Sequence, residues 1–472
     1  LGKATCVERF IKALFLFLII VVMITIIIIG RFVDREEELR VLRERLRSDV
    51  FELVVVYGRR RVGKTRLVLE SVRGCEYVYY LAVEGDNLRY FKRVASRVVP
   101  ELRYSMEDWE SYFNFLKDKV VIIDEFPNLI KEDPRVVSVF QRVVDTVLKG
   151  TRTKLILLGS SVSMMSSKVL SYRSPLYGRR TASIRLGPLR FHHLKEFFPH
   201  VSWEELVEIY GMTGGIPYYV EKVRPPFWEW LERELRRPDT FLKGEADFLM
   251  RYEFSNASTY KKILEAIALG KNTPKEIREY LRMKHSDITP YLRNLIETGF
   301  IVREVPVTEG PRSRRGRYYV ADNFTAFWFR YIYPNLSAIE EGVFDVGEVM
   351  EDYPNYLGWV FEGVGRQLLI ELGKRGELPF KPTRIGRWWY KDLEVDIVAL
   401  NRRERKALLV EVKWGKLSER EASRVKSKLE RVSTHVGLED YETYYGVIAK
   451  EAEVKEDLVW DLRDFNRIMG KC

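Results

Sequence analysis

The chain has 472 residues, with 79 Lys and Arg against 68 Asp and Glu, a formal charge of +11, and 46% hydrophobic residues. This length predicts roughly two to four domains, and the apolar content excludes an intrinsically disordered chain. The basic excess permits a polyanionic partner without requiring one. The three dispersed cysteines, Cys6, Cys75 and Cys472, exclude a disulfide framework and a thiolate metal site, so a reduced, cytoplasmic compartment is expected.

Gln141 and Gln367 are the only glutamines among abundant Arg, Lys and Glu, a composition that points to a thermophile. The first element is the uncharged run Ala13 to Ile29, preceded by Lys12 and followed by Arg31. As a helix it would be about 26 Å long, slightly short of a bilayer core. Three readings stand. One is a membrane anchor tethering the chain through residues 13–29. A signal peptide is disfavoured, because no small-residue cleavage site follows. The third is a start placed too early, since the chain opens on Leu1 and Met23 lies close to the first recognisable domain.

Residues 31–48 read as a short opening strand and a charged helix. The apolar run Leu53 to Val56 then leads into Gly58-Arg59-Arg60-Arg61-Val62-Gly63-Lys64-Thr65 and a helical TRLVLESV. A buried strand, a glycine loop and a helix form the context a phosphate-binding loop needs. Gly58 and Gly63 let backbone N–H groups wrap phosphate oxygens, Lys64 neutralises the β- and γ-phosphates, and the Thr65 hydroxyl completes a Mg²⁺ shell. A chance glycine turn is the bland alternative.

Val120 to Ile123 form a second buried strand, ending in Asp124-Glu125. A carboxylate ending an apolar strand is costly unless it meets a cation or a donor, so Asp124 is expected to hold Mg²⁺ through water. Glu125 then orients and polarises the attacking water. ATP and Mg²⁺ are the expected ligands, and hydrolysis the expected reaction. A third strand, Lys154 to Gly159, ends in Ser160, a candidate γ-phosphate sensor and equally a common turn residue. Arg179 or Arg180, in PLYGRR, is a candidate arginine finger, and an ion-paired surface arginine is the alternative.

FVDREEEL, GRRRVGKT, VVIIDEF, GSSVSMM, PLYGRR and GGIPYY together resemble the archaeal ATPase family, in the AAA+/STAND branch of P-loop NTPases, over roughly residues 31 to 240. The resemblance implies a parallel sheet flanked by helices, with a helical lid carrying the Gly214-Gly215-Ile216-Pro217 turn near the nucleotide. Ser160 stands where many AAA+ relatives place Asn.

Residues 250–335 read as a winged helix, with Thr273 capping a helix that starts at Pro274, and Pro290 early in the third helix. Arg312, Arg314, Arg315 and Arg317 lie on the wing, where exposed guanidinium groups suit DNA phosphates. The alternative is a rigid arm that contacts protein. The aromatic stretch 318–334 is expected to pack against helices. Residues 351–472 place Asp396 in one strand and Glu411 and Lys413 on one face of the next. Such a set can gather carboxylates around Mg²⁺ while an ammonium steers water. This resembles the PD-(D/E)XK nuclease fold, and RWWY, EVDIVAL and VEVKW are similar to DUF234. The resemblance implies Asp396 and Glu411 as metal ligands, Lys413 as catalytic, and Glu362 as an auxiliary acid.

The expected architecture is α/β. A hydrophobic segment (1–30) precedes an ATPase with lid (31–245), a winged helix (250–335) and a restriction-endonuclease-like domain (351–472). Two functions remain open: an ATP-driven protein that contacts double-stranded DNA and carries a nuclease-like site, or a STAND-type regulatory switch with an inactive C-terminal domain. A homo-oligomer is compatible with either.

Overall fold

The computed structural model describes residues 32–254, 256–283 and 288–470. The apolar run 13–29 lies outside them, and among the described residues no helix is long and apolar enough to cross a membrane. The short opening strand does not form. Residues 32–35 are irregular, with Asp34 and Arg35 at φ 63° and 76°, a backbone no strand can continue.

The charged helix α1 (Glu36–Arg47) precedes strand β1 (Glu52–Tyr57), the glycine loop and helix α2 (Lys64–Ser71). With β2 (Tyr77–Leu81), β3 (Val120–Asp124), β4 (Lys154–Gly159) and β5 (Ala182–Arg185), β1 forms an all-parallel sheet in the order β2-β3-β4-β1-β5. Its central strands are near-continuous Val, Ile and Leu because helices cover both faces. β3, β4 and β1 are adjacent, so their C-terminal ends bring Asp124, Ser160 and Gly58 to one edge.

Helix α3 (Trp203–Thr213) ends at Gly214, and Gly215-Ile216-Pro217 turns the chain back toward the sheet. Gly215 sits at φ +69°, and a Cβ there would lie 2.2 Å from the Leu189 carbonyl oxygen, so only glycine fits this turn. Helix α4 (Glu245–Glu253) then leads to α5 (Ser258–Ala268), α6 (Pro274–Tyr280), α7 (Thr289–Glu297) and the antiparallel pair β6 (Ile301–Glu304) and β7 (Arg317–Val320). Thr273 and Glu276 form a capping box at the start of α6, and Pro290 falls in the first turn of α7, where a missing N–H leaves no intrahelical bond unmade.

Helix α8 (Val346–Arg375) is thirty residues long and contains Pro354. It packs against a second sheet, ordered β12-β11-β10-β9-β8, built from β8 (Arg384–Tyr390), β9 (Leu393–Asn401), β10 (Lys406–Leu417), β11 (Glu442–Ala452) and β12 (Val459–Trp460). β8, β9 and β10 pair antiparallel, while β10–β11 and β11–β12 are parallel. Helix α9 (Glu419–Ser433) lies on β10 and β11.

Apolar side chains from Leu53 to Leu176 build the core around the first sheet. A second core runs without a break from Phe191 to Met469, through Phe300, Trp328, Tyr353 and Phe361. The lid, the winged helix and the second sheet therefore share one interior. The aromatic stretch 318–334 belongs to it, with Phe324, Phe327, Trp328 and Phe329 fully buried, as expected of a packing segment.

Candidate ATPase site and C-terminal acid cluster

β1 delivers the chain into the loop at Gly58, whose φ is +155° and whose Cβ, if present, would lie 2.2 Å from the Leu186 carbonyl oxygen. The loop closes at Gly63, in the left-handed region, and α2 begins at Lys64. Lys64 is buried, and its ammonium donates to the carbonyl oxygens of Gly58 and Arg59, both at 2.9 Å. Burial pulls its pKa down to about 8 against the opposing charges of Glu125 and Asp124. A phosphate offers this ammonium stronger acceptors than two carbonyls do.

The Thr65 hydroxyl donates to Asp124 Oδ2 at 2.6 Å, the Tyr79 hydroxyl donates to the same oxygen at 3.0 Å, and the Glu125 N–H donates to Asp124 Oδ1 at 2.8 Å. All three partners are neutral, so the charge of the buried Asp124 has no contacting cation among the described residues. Thr65 and Asp124 thus supply hard oxygen donors side by side, which fits Mg²⁺ held by few protein ligands and completed by water and phosphate. Glu125 accepts from the Ser160 hydroxyl at 2.6 Å and the Ser160 N–H at 3.3 Å. Ser160, the candidate sensor, contacts the candidate base.

The three loop arginines reach far along the chain. Arg59 pairs with Asp322, donates to Thr325 at 3.3 Å, and lies 4.3 Å from the centre of the Phe300 ring. Arg61 donates to Glu245 at 2.9 Å and stacks on Tyr218 at 3.9 Å. Arg60 stacks on Tyr252 at 3.7 Å. Neighbouring Glu253 accepts from Ser161 at 3.1 Å and Ser163 at 3.3 Å. A cavity of about 180 Å³ opens where the loop meets the GGIP turn and the winged helix, lined by Gly58, Val62, Ile216 and Asp322 among others. Pro217 packs 3.9 Å from where a Cβ on Gly63 would stand, so the turn lies beside the loop. Val62 is buried under it.

Arg179 grips Asp145 through two nitrogens, with contacts at 2.7 and 3.0 Å, and Arg180 donates to the Leu170 carbonyl at 3.0 Å. Neither touches the loop or the β3 acids among the described contacts. On the wing, Arg312 and Arg314 are exposed. Arg315 pairs with Glu309 and donates to the Trp389 carbonyl at 3.2 Å, and Arg317 pairs with Glu394 at 3.0 Å. Half of the basic wing is therefore docked on β8 and β9.

The C-terminal acids feel one another's charge, and each has a different contact. Glu362 meets the Arg387 guanidinium at 2.5 Å; burial pushes its carboxyl above the usual range, and Arg387 opposes that shift. Asp396 accepts from the Val412 N–H at 2.7 Å, and burial followed by the charge of Glu411 pushes its carboxyl up. Glu411 turns to Lys428, at 2.7 and 3.0 Å. Glu362, Arg387, Asp396, Glu304 and Tyr319 line a cavity of about 180 Å³ facing β7. Lys413 projects from β10 two residues beyond Glu411. Among the described residues no group of three or more Asp, Glu, His or Cys side chains gathers to hold a metal.

Sequence reasoning missed Tyr79, Glu245, Tyr252, Glu253, Asp322 and Thr325. Asp322 is 263 residues from Arg59, and no local pattern links them. The one available signal was a lone acid within an aromatic stretch, which demands a partner when buried.

Residues 32–223 match a family described as "ATPase domain predominantly from Archaea", and residues 328–425 match DUF234, "Archaea bacterial proteins of unknown function". "Uncharacterized protein MJECL04" of Methanocaldococcus jannaschii is 60% identical over 438 residues, covering 92% of this chain and 100% of its own. Among solved structures, the Walker-type ATPase of Pyrococcus abyssi is 24% identical, with a TM-score of 0.49 over 63% of this chain and 96% of that one. The ORC2 protein of Aeropyrum pernix is 15% identical, with a TM-score of 0.44 over 68% of this chain and 96% of that one.

Proposed function

This chain belongs to the archaeal ATPase family and joins a P-loop ATPase to a DUF234 region, and from that premise we propose an ATP-driven conformational switch. Lys64 neutralises the β- and γ-phosphates, Thr65 and Asp124 would hold Mg²⁺, and Glu125 takes the proton of the attacking water. Mg²⁺, when bound, offsets the charge on the phosphate oxygens. Ser160 aims Glu125. The units are an ATPase with lid to residue 245, a winged helix over 250–335 and a DUF234 contact module over 351–472.

The observation that carries this reading is the grip of Arg59 on Asp322, Thr325 and Phe300, with that of Arg61 on Glu245. Both arginines belong to the phosphate loop; Glu245 lies at the end of the lid, and Asp322, Thr325 and Phe300 lie in the winged helix. ATP draws Lys64 off the Gly58 and Arg59 carbonyls, and the loop moves with it. That movement loosens the Arg59 contact and frees the winged helix. In Asp322→Ala the grip is gone, and release of a fluorescent ADP analogue is expected to rise at least about tenfold, equal to 1.4 kcal/mol. Stopped-flow release at the wild-type rate would sink the switch.

A second reading has one observation in its favour: Arg312 and Arg314 remain exposed at the wing tip. Contact with double-stranded DNA through these two side chains is compatible with the switch, which would present or withdraw the wing.

A further inference from the structure

Each loop arginine except one has a carboxylate. Arg59 has Asp322 and Arg61 has Glu245, while among the described residues Arg60 has no carboxylate partner. Its guanidinium lies 3.7 Å from the centre of the Tyr252 ring, and Lys131 approaches the same ring at 4.6 Å. Tyr252 interacts with the Arg60 guanidinium, and neither the Arg60 Nε nor the Tyr252 hydroxyl has an acceptor in good hydrogen-bond geometry. A guanidinium held over an aromatic ring with no carboxylate or carbonyl opposite it keeps its donors for an anion, and phosphate oxygens are the acceptors this loop brings near.

The position of these two groups is fixed from two sides. Arg60 is part of the loop that wraps phosphates. Tyr252 is held next to Glu253, whose carboxylate accepts from Ser161 and Ser163 at the end of β4. Adjacent Ser160 donates to Glu125. The unpaired guanidinium therefore shares the sheet edge with Lys64 and the catalytic acid. Its charge also reaches Lys64, where it is one of the influences that lower the ammonium's proton affinity, after burial.

Resting on the ATP site as described, we infer that the Arg60 guanidinium is the cation that meets the transferring γ-phosphoryl group in cis, and that Tyr252 positions it. Water attacks the γ-phosphorus, and the bond from that phosphorus to the β–γ bridging oxygen breaks. The bridging oxygen leaves on ADP with the electron pair, and Glu125 takes the proton of the water. The three peripheral oxygens gain charge in between, and a planar guanidinium offers them two donors at once. Arg179 and Arg180 do not compete for this place in cis, since Asp145 and the Leu170 carbonyl hold them.

The test compares Arg60→Ala, Arg60→Lys and Arg180→Ala in the full chain, with circular dichroism confirming that each folds. Arg60→Ala is expected to lower kcat about 10²- to 10³-fold. ADP affinity by calorimetry stays within about threefold of wild type, because the lost contact belongs to the phosphoryl group that leaves. The variant also fails to retain ADP with aluminium fluoride, which mimics that group. Arg60→Lys recovers less than about a tenth of the rate, since an ammonium lacks the fork. A kcat within threefold of wild type, an equal loss of ADP binding, or a collapse in Arg180→Ala alone would overturn the inference. A wild-type chain that hydrolyses no ATP would sink the hydrolysis reading instead. The affinity ratio of ATPγS to ADP would then decide the role of Arg60, supporting it if Arg60→Ala abolishes the preference and ending it if not.

Discussion

The end of β3 and the face of β9 and β10 present the same kinds of carboxylate to opposite effect. Asp124 is held by the Thr65 and Tyr79 hydroxyls and a backbone N–H, neutral donors that leave it without a cation in direct contact among the described residues. Glu411 on β10 and Glu362 on the facing α8 each have a cation in contact, Lys428 and Arg387, while Asp396 between them accepts from the Val412 N–H. A carboxylate surrounded by neutral donors recruits a cation, whereas one already paired has little to offer a metal. The two regions are alike as strings of residues and differ in what tertiary structure places opposite them.

The largest expected effects lie on the β3 side. Lys64→Ala should abolish ATP turnover, and Glu125→Gln should lower kcat about 10²- to 10⁴-fold while ADP still binds. Asp396→Ala and Glu411→Ala should leave that turnover unchanged. In the same preparations, plasmid DNA with Mg²⁺ or Mn²⁺ should stay intact in the wild type. Cleavage that disappears in both C-terminal variants would break the comparison and restore a nuclease.

What the sequence could disclose follows the same division. Gly58 to Thr65 and Val120 to Glu125 are contiguous, so strand, loop and acid lie in one window and their meeting needs only a parallel sheet. The winged-helix helices were legible from their ends, through Thr273, Pro274 and Pro290. The partners of Arg59, Arg61, Glu362 and Glu411 lie elsewhere in the chain or on another element, and no periodicity reports them. Helix α8 was visible only around Phe361 because Pro354 breaks its pattern, yet the shared core holds it through all thirty residues. The opening strand failed because two consecutive positive φ values at Asp34 and Arg35 have no signature in those residue types.

A smaller effect tests the paired side directly. Arg387 and Glu362 are both largely buried. Removing the cation in Arg387→Ala takes away the charge that opposes the burial shift of Glu362, so the carboxyl keeps its proton to higher pH and the loss of stability, read as a shift in the urea midpoint, grows as pH rises. Glu362 then resembles Asp124, an acid with no cation, and Mn²⁺ should raise the stability of this variant more than that of the wild type. Equal Mn²⁺ responses would show that pairing is not what separates the two regions.

The wing supplies the smallest effect and carries the same logic to arginines. Arg317 is paired with Glu394, which is 43% exposed, so solvent screens the pair and Arg317→Ala should lose less than about 1 kcal/mol of stability. Arg312 and Arg314 have no such attachment among the described residues, and their removal should leave stability unchanged. If the wing tip meets DNA, each free arginine releases about one counterion, so Arg312→Ala and Arg314→Ala should each reduce the slope of log affinity against log salt by about one. Arg317→Ala should leave that slope alone, because a guanidinium already facing a carboxylate has no phosphate to meet. A slope that falls equally in all three variants would mean that the wing leaves β9 to bind DNA, and docking on the second sheet would then be one position of the switch.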